Sequence, residues 1–191
     1  ITGINQTISI LDTPIDFYHA MLRDDNVQVK LNTYLPNHRK IIYYNFNGSL
    51  NNLLNTIEEN EHGTHVAGTA AGKSICTNDL KQGTKYFNGN APDSKILYAG
   101  DFNLVGAQEL SKLMNKYNSQ ISSNSWSTTA PFNPENYEYG KIAEMNPNLI
   151  FIFAAGNDYG NFGNFTVFDP SSSKNILTIG SISDFYINND L

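Results

Sequence analysis

Apolar residues fall in short blocks along this chain, and their spacing switches repeatedly between the periods of strands and helices. Leu149-Ile150-Phe151-Ile152-Phe153-Ala154-Ala155 is an uninterrupted apolar run of seven. Its length and its β-branched and aromatic content predict a strand covered on both faces. Shorter blocks predict strands over residues 6–11, 41–46, 95–100, 120–124 and 175–181. Leu110, Leu113, Met114 and Tyr117 stand three and four apart, which predicts an amphipathic helix over 107–117. A second helix over 137–145 is closed by Asn146-Pro147, and a short helical piece is expected over 17–23. Apart from the strand at 41–46, residues 24–60 are polar and Asn-rich and read as surface excursion; Cys76 to Asn88 reads as a polar loop. Strands alternating with helices predict an α/β fold with three layers and a doubly wound, mostly parallel sheet. No internal repeat or domain boundary divides residues 1–191.

One stretch breaks the pattern. Glu61-His62-Gly63-Thr64-His65-Val66-Ala67-Gly68-Thr69-Ala70-Ala71-Gly72 has helical composition but no large side chain between Ala67 and Gly72. Such a helix can approach a neighbouring backbone closely, so it is expected to be buried rather than amphipathic. A histidine in its first turn then needs a hydrogen-bond partner or a chemical task.

Composition narrows the classes. The chain has 191 residues, 40% hydrophobic and 16% charged, with a net charge of −6 and no basic stripe. That suits a globular domain with a substantial core and argues against nucleic-acid binding. No apolar run reaches the ~18–20 residues that span a bilayer, so membrane attachment is expected only through segments outside this chain. The single cysteine, Cys76, excludes an internal disulfide. Sequons stand at Asn5, Asn47 and Asn164, acceptors only if the chain enters a secretory compartment.

Three polar residues sit where an open α/β sheet gathers chemistry, at strand ends and helix starts. Asp12 ends the first strand, His62 heads the small-residue helix, and Asn157 follows the long apolar strand. Read alone, Asp12 is better explained as a cap for the following turn. Together the three have compatible roles. An imidazole can take a hydroxyl proton, a carboxylate can hold the imidazole's tautomer, and a side-chain amide can donate to a developing oxyanion.

The motifs resemble those of the subtilisin-like serine proteases, the subtilases, over residues 3 to 183. Ile10-Leu11-Asp12-Thr13-Pro14-Ile15-Asp16 resembles the family's Asp motif, His62-Gly63-Thr64-His65 its His motif, and Ala154-Ala155-Gly156-Asn157 its oxyanion-hole motif. Asn90-Ala91-Pro92-Asp93-Ser94-Lys95-Ile96 is similar to the family's turn into a core strand. Ser123-Asn124-Ser125-Trp126-Ser127 is similar to its substrate-pairing strand. The resemblance implies a subtilisin-like fold, incomplete at the C-terminus, and serine endopeptidase activity. Asp12 and His62 would be catalytic, Asn157 would complete the oxyanion hole, and Ser125, Trp126 and Ser127 would bind a polypeptide substrate. It implies no organic cofactor and no metal ligand set; structural calcium, which family members often bind, is unassigned. It also implies a secreted or vesicular location.

Several positions depart from the family pattern. Pro14 stands where the family has Gly, with a fixed φ that is expected to tilt the approach to Asp12. Glu61 puts a carboxylate beside His62, and Ser127 adds a hydroxymethyl group along the substrate strand. The largest departure is the nucleophile. None of Ser171, Ser172, Ser173, Ser181 and Ser183 lies in a Gly-Thr-Ser-Met/Ala motif. The chain is therefore expected to be the N-terminal part of a longer peptidase domain and inactive by itself. The rival is a catalytically dead module that binds peptides or a partner. A zinc hydrolase using His62 and His65 lacks a third ligand in its helical turn. His65 is expected to be a buried packing residue, Trp126 cleft wall or core, and His19 and His38 surface residues.

Overall fold

The computed structural model describes residues 2–75, 87–128, 137–158, 160, 163–164 and 166–181. Cys76 lies outside the described residues. Six strands form one parallel sheet: β1 (Thr7–Leu11), β2 (Ile41–Tyr44), β3 (Lys95–Gly100), β4 (Ile121–Asn124), β5 (Ile150–Ala154) and β6 (Leu177–Ile179), in the order β2-β3-β1-β4-β5-β6. Among the described residues the helices that connect them are α1 (Leu50–Glu59), α2 (His62–Ala71), α3 (Ala107–Lys116) and α4 (Tyr137–Met145). The chain builds β2 and β3 to one side of β1, then crosses over for β4 to β6. In such sheets the crevice for a ligand opens at the carboxyl ends of the strands, where the winding reverses. Here that is the end of β1 and β4.

The core divides between the faces of the sheet. On one face Ile10, Tyr44, Ile96 and Tyr98 meet Leu53 and Ile57 of α1 and Ala67 and Ala71 of α2. On the other, Leu11, Ala99, Phe151 and Phe153 meet Leu110 and Met114 of α3 and Tyr139 and Ala143 of α4. This is the three-layer, doubly wound α/β arrangement expected from the alternation of elements.

Four expectations need correction. α1 lies within the stretch read as surface excursion. Leu50, Leu53, Leu54 and Ile57 have helical spacing, and Ser49 caps the first turn by accepting from Asn52 N–H at 3.2 Å. The helical piece at 17–23 is only a turn, closed by Leu22 N–H and Arg23 N–H on His19 O. α2 is not buried all round: Gly63, Ala67 and Ala71 are buried, while His62, His65 and Thr69 are exposed. Its small residues serve close approach on one side only. Finally, β5 is covered on one face, since Phe151 and Phe153 are fully buried whereas Ile150 is 47% exposed. Ile121, Leu177 and Ile179 share that open face, and among the described residues no helix packs on it.

Two histidines also exchange their expected environments. His38 is buried, because its Nδ1 accepts from both Lys40 N–H and Ile41 N–H at the entry to β2. His65 is exposed on the outer stripe of α2.

Candidate active site

The register of β1 against β3 slips between Ile10 and Leu11, so that Leu11 pairs with Gly100 rather than Ala99. The bulge turns the chain at the strand end, and Asp12 N–H donates to Gly100 O at 3.2 Å. Asp12 is thereby set, fully buried, at the head of the crevice. His62 approaches from the first turn of α2. Its Nδ1 lies 2.6 Å from Asp12 Oδ1, with the His62 side chain 49% exposed and that of Asp12 fully buried.

That approach depends on Gly63. A Cβ there would stand 1.9 Å from Thr13 O, so only glycine lets the head of α2 lie against the Asp12 loop. Polar groups stitch the two segments together. Thr13 Oγ1 accepts from Gly63 N–H at 2.8 Å and lies 3.3 Å from Asp12 Oδ1, which also accepts from Thr13 N–H at 2.8 Å. Asn60 Oδ1 accepts from His62 N–H at 3.0 Å, and Thr64 Oγ1 from Asp16 N–H at 2.9 Å. Thr13, Asn60 and Thr64 were not singled out from the sequence. Asn60 carried a signal, since Asn two residues ahead of a helical N–H is an Asx turn.

The electrostatics follow from burial. Loss of water pushes the Asp12 carboxyl above its ordinary value; the His62 hydrogen bond and charge and the bonds from Thr13 oppose that shift. Asp12 Oδ2 is buried with no partner among the described residues. With Asp12 Oδ1 as acceptor, the imidazole proton is assigned to Nδ1, leaving the Nε2 lone pair for a substrate or nucleophile. Pro14 does not draw Asp12 away, as the 2.6 Å contact shows. The Glu61 side chain makes no cap bond to α2 and is exposed.

The second half of the crevice comes from β4 and β5. Asn124 is buried and donates to Ile152 O at 2.9 Å, fixing the end of β4 against β5. Ser125, Trp126 and Ser127 continue beyond it, half-buried. The Trp126 ring stacks on Phe102 at 5.2 Å and meets Phe153 edge-on at 5.3 Å, so it closes the core beneath the crevice. Gly156 turns with φ +96°, and Ser127 Oγ lies 3.8 Å from where a Cβ at Gly156 would be. The strand end thus faces the Gly156-Asn157 turn across a narrow gap. Asn157 is exposed, with no hydrogen bond to Asp12 or His62. The structure joins Asp12 to His62 and sets Ser127 against the turn carrying Asn157.

Other expected candidates fall elsewhere. Ser171 Oγ donates to Ala154 O at 2.5 Å and Ser172 Oγ to Asp169 Oδ1; neither reaches His62. Among the described residues no three His, Cys, Asp or Glu side chains are grouped to hold a metal ion, and His65 is exposed. No described helix is long and apolar enough to cross a membrane.

A buried carboxylate bonded to an imidazole at the switch point of a parallel α/β sheet is an acid–base pair whose second ring nitrogen is available to move a proton. The profile of the Subtilase family (Peptidase S8) matches residues 3–190, and the chain belongs to that family. It is 30% identical over 202 residues to the serine protease/ABC transporter B family protein tagD of Dictyostelium discoideum, covering 94% of this chain and 10% of that protein. It is 30% identical over 148 residues to an alkaline proteinase of Hapsidospora chrysogena, covering 76% of this chain and 33% of that one. The protease domain of PatA, in a point-mutant structure, superposes with a TM-score of 0.56 at 19% identity, covering 96% of this chain and 60% of that chain. This last likeness shows the fold. The chain thus spans a tenth to a third of these two curated relatives.

Proposed function

We propose that these 191 residues carry the acid–base half of a serine endopeptidase. The observation that carries the reading is the 2.6 Å contact between Asp12 Oδ1 and His62 Nδ1, with Nε2 unpartnered among the described residues. Asp12 holds the tautomer and stabilises the imidazolium. His62 Nε2 takes the proton of an attacking serine hydroxyl as its oxygen bonds to the peptide carbonyl carbon, then returns it to the departing amine. Asn157 donates its side-chain N–H to the oxyanion. Substrate lies as an extended strand along Ser125 to Ser127, held by backbone hydrogen bonds, with Trp126 closing the floor. The nucleophilic serine is supplied by sequence outside these residues, because none of Ser171, Ser172, Ser173, Ser181 and Ser183 stands in a Gly-Thr-Ser-Met/Ala motif. No organic cofactor takes part. A secreted or vesicular location accords with the exposure of the three sequon residues Asn5, Asn47 and Asn164.

A serine-reactive fluorophosphonate probe tests this on the polypeptide as its gene encodes it. Labelling of one serine, abolished by His62→Ala, is the expected result. Absence of labelling from folded protein that still binds peptide would replace this reading with that of a catalytically dead binding module.

A further inference from the structure

The loop that presents Asp12 is held from beneath by two phenols. Past the end of β1 the backbone has no strand partner for Asp12 O or for the polar groups of Ile15, and Pro14 between them brings no N–H. Tyr98 of β3 donates its hydroxyl to Asp12 O at 3.1 Å. Tyr44 of β2 donates to Ile15 O and accepts from Ile15 N–H, both at 2.9 Å. One hydroxyl thus reproduces both halves of a strand pairing. Both tyrosines are fully buried, their rings 4.3 Å apart, and Phe17 braces Tyr44 edge-on at 5.3 Å.

The placement follows from the register. Tyr98 pairs with Ile10, immediately before the slip that moves Leu11 onto Gly100, and its ring reaches past the bulge to Asp12 O. Tyr44 pairs with Tyr98 across β2 and β3 and lies on the same face. Phenylalanine would fill either site with the same ring; only the hydroxyl reaches the loop. Burial pushes both phenol pKa values up, so both keep the proton they donate. The Asp12–Ile15 backbone is therefore fixed at Asp12 N by Gly100, at Asp12 O by Tyr98, and at both ends of Ile15 by Tyr44.

We propose that Tyr44 and Tyr98 are positioning residues, whose hydroxyls fix the Asp12–Ile15 loop so that the Asp12 carboxylate meets His62 Nδ1. The role of that pair in turnover rests on the serine-peptidase reading; the clamp itself is read without turnover. Neither tyrosine touches substrate. They act through Asp12, and a displacement of about 1 Å in such a group is enough to cost about a hundredfold in rate.

The test compares Tyr98→Phe and Tyr44→Phe with Tyr43→Phe, a neighbour in β2 that faces the opposite side of the sheet. The Nδ1 proton shared between His62 and Asp12 is followed as a far-downfield NMR resonance, alongside kcat, KM and unfolding. Both clamp variants are expected to shift that resonance upfield or broaden it and to lower kcat roughly 10- to 100-fold with KM within about twofold. Tyr43→Phe is expected to leave it in place. Loss of stability with the resonance and kcat unchanged would overturn the proposal, because the phenols would then be packing alone. If Tyr44→Phe does not fold, Tyr98→Phe, which removes a single bond, decides. An inactive wild-type enzyme would count against the peptidase reading, while the resonance still decides the clamp.

Discussion

Gly63 and Gly68 stand five residues apart on α2, and alanine should act in opposite directions at the two. In a helix interior Gly→Ala is worth about 1 kcal/mol of stabilisation, since it removes backbone freedom from the unfolded chain. At Gly68 nothing opposes that gain: the nearest atom to a new Cβ is Met21 Sδ at 3.9 Å, an ordinary contact. Gly68→Ala should therefore raise stability by about 0.5–1 kcal/mol, or roughly 1–4 °C in Tm for a chain of this size. At Gly63 the new Cβ meets Thr13 O at 1.9 Å, where real contacts stay above 3.0 Å, so the head of α2 and the Asp12 loop must part by about 1 Å. Both sides of that contact are backbone, and no flexible side chain can yield. Overpacking costs about 1–3 kcal/mol, and with backbone on both sides the upper end applies, leaving a net loss of about 1.5–2 kcal/mol after the helical gain. Gly63→Ala should lower Tm by roughly 3–8 °C and lengthen the 2.6 Å contact between Asp12 and His62. Thermal unfolding of both variants, with the His62 Nδ1 proton as local probe, measures the two effects. Equal stabilisation by both alanines would refute the argument that α2 is seated on Asp12 through a glycine contact.

Two further predictions concern regions distant from the crevice. Burial lowers the His38 pKa from 6.5 to about 4. The unfolded chain then binds more protons in that window, so the His38 contribution is fully present above pH 6.5 and is lost as pH falls towards 4. Urea unfolding between pH 7 and 4 should show this slope, and His38→Asn, which keeps an acceptor for Lys40 N–H, should flatten it. Ser49→Ala should cost about 1 kcal/mol by removing the cap of α1; an unchanged midpoint would mean that α1 draws no stability from its first turn.

What could be read from the sequence was what short-range pattern encodes. The spacing in α3, the alternation of strands and helices, and the Asp, His and Asn motifs each reside in a few consecutive residues. α1 was obscured because Leu50, Leu53, Leu54 and Ile57 are separated by asparagines, whose weak helix propensity is overridden by packing of Leu53 and Ile57. The fates of His38 and His65 depend on partners that sequence spacing does not reveal, backbone donors at the start of β2 in one case and an uncovered helix stripe in the other. The seven-residue apolar run correctly announced β5, but its composition cannot report whether a second layer actually lies on it. At the site, Asp12 and His62 were legible as candidates and Asn60 carried a local signal; Thr13 and the two phenols were not legible, since their work is to hold backbone 29 to 86 positions away.

The division of the core between the two faces bears on the order in which the molecule can be made. Every buried residue of the cluster behind α1 and α2 lies between Ile10 and Tyr98. The opposite cluster draws on residues as far along as Phe153. Chains emerge from the ribosome at about 5–20 residues per second, and amino-terminal units fold first. The first core can close while β4 and β5 are still being synthesised, bringing Asp12 and His62 together seconds before the crevice has its second wall. On the serine-peptidase reading proposed above, the pair that moves the proton is then in place before the strand that would hold the substrate.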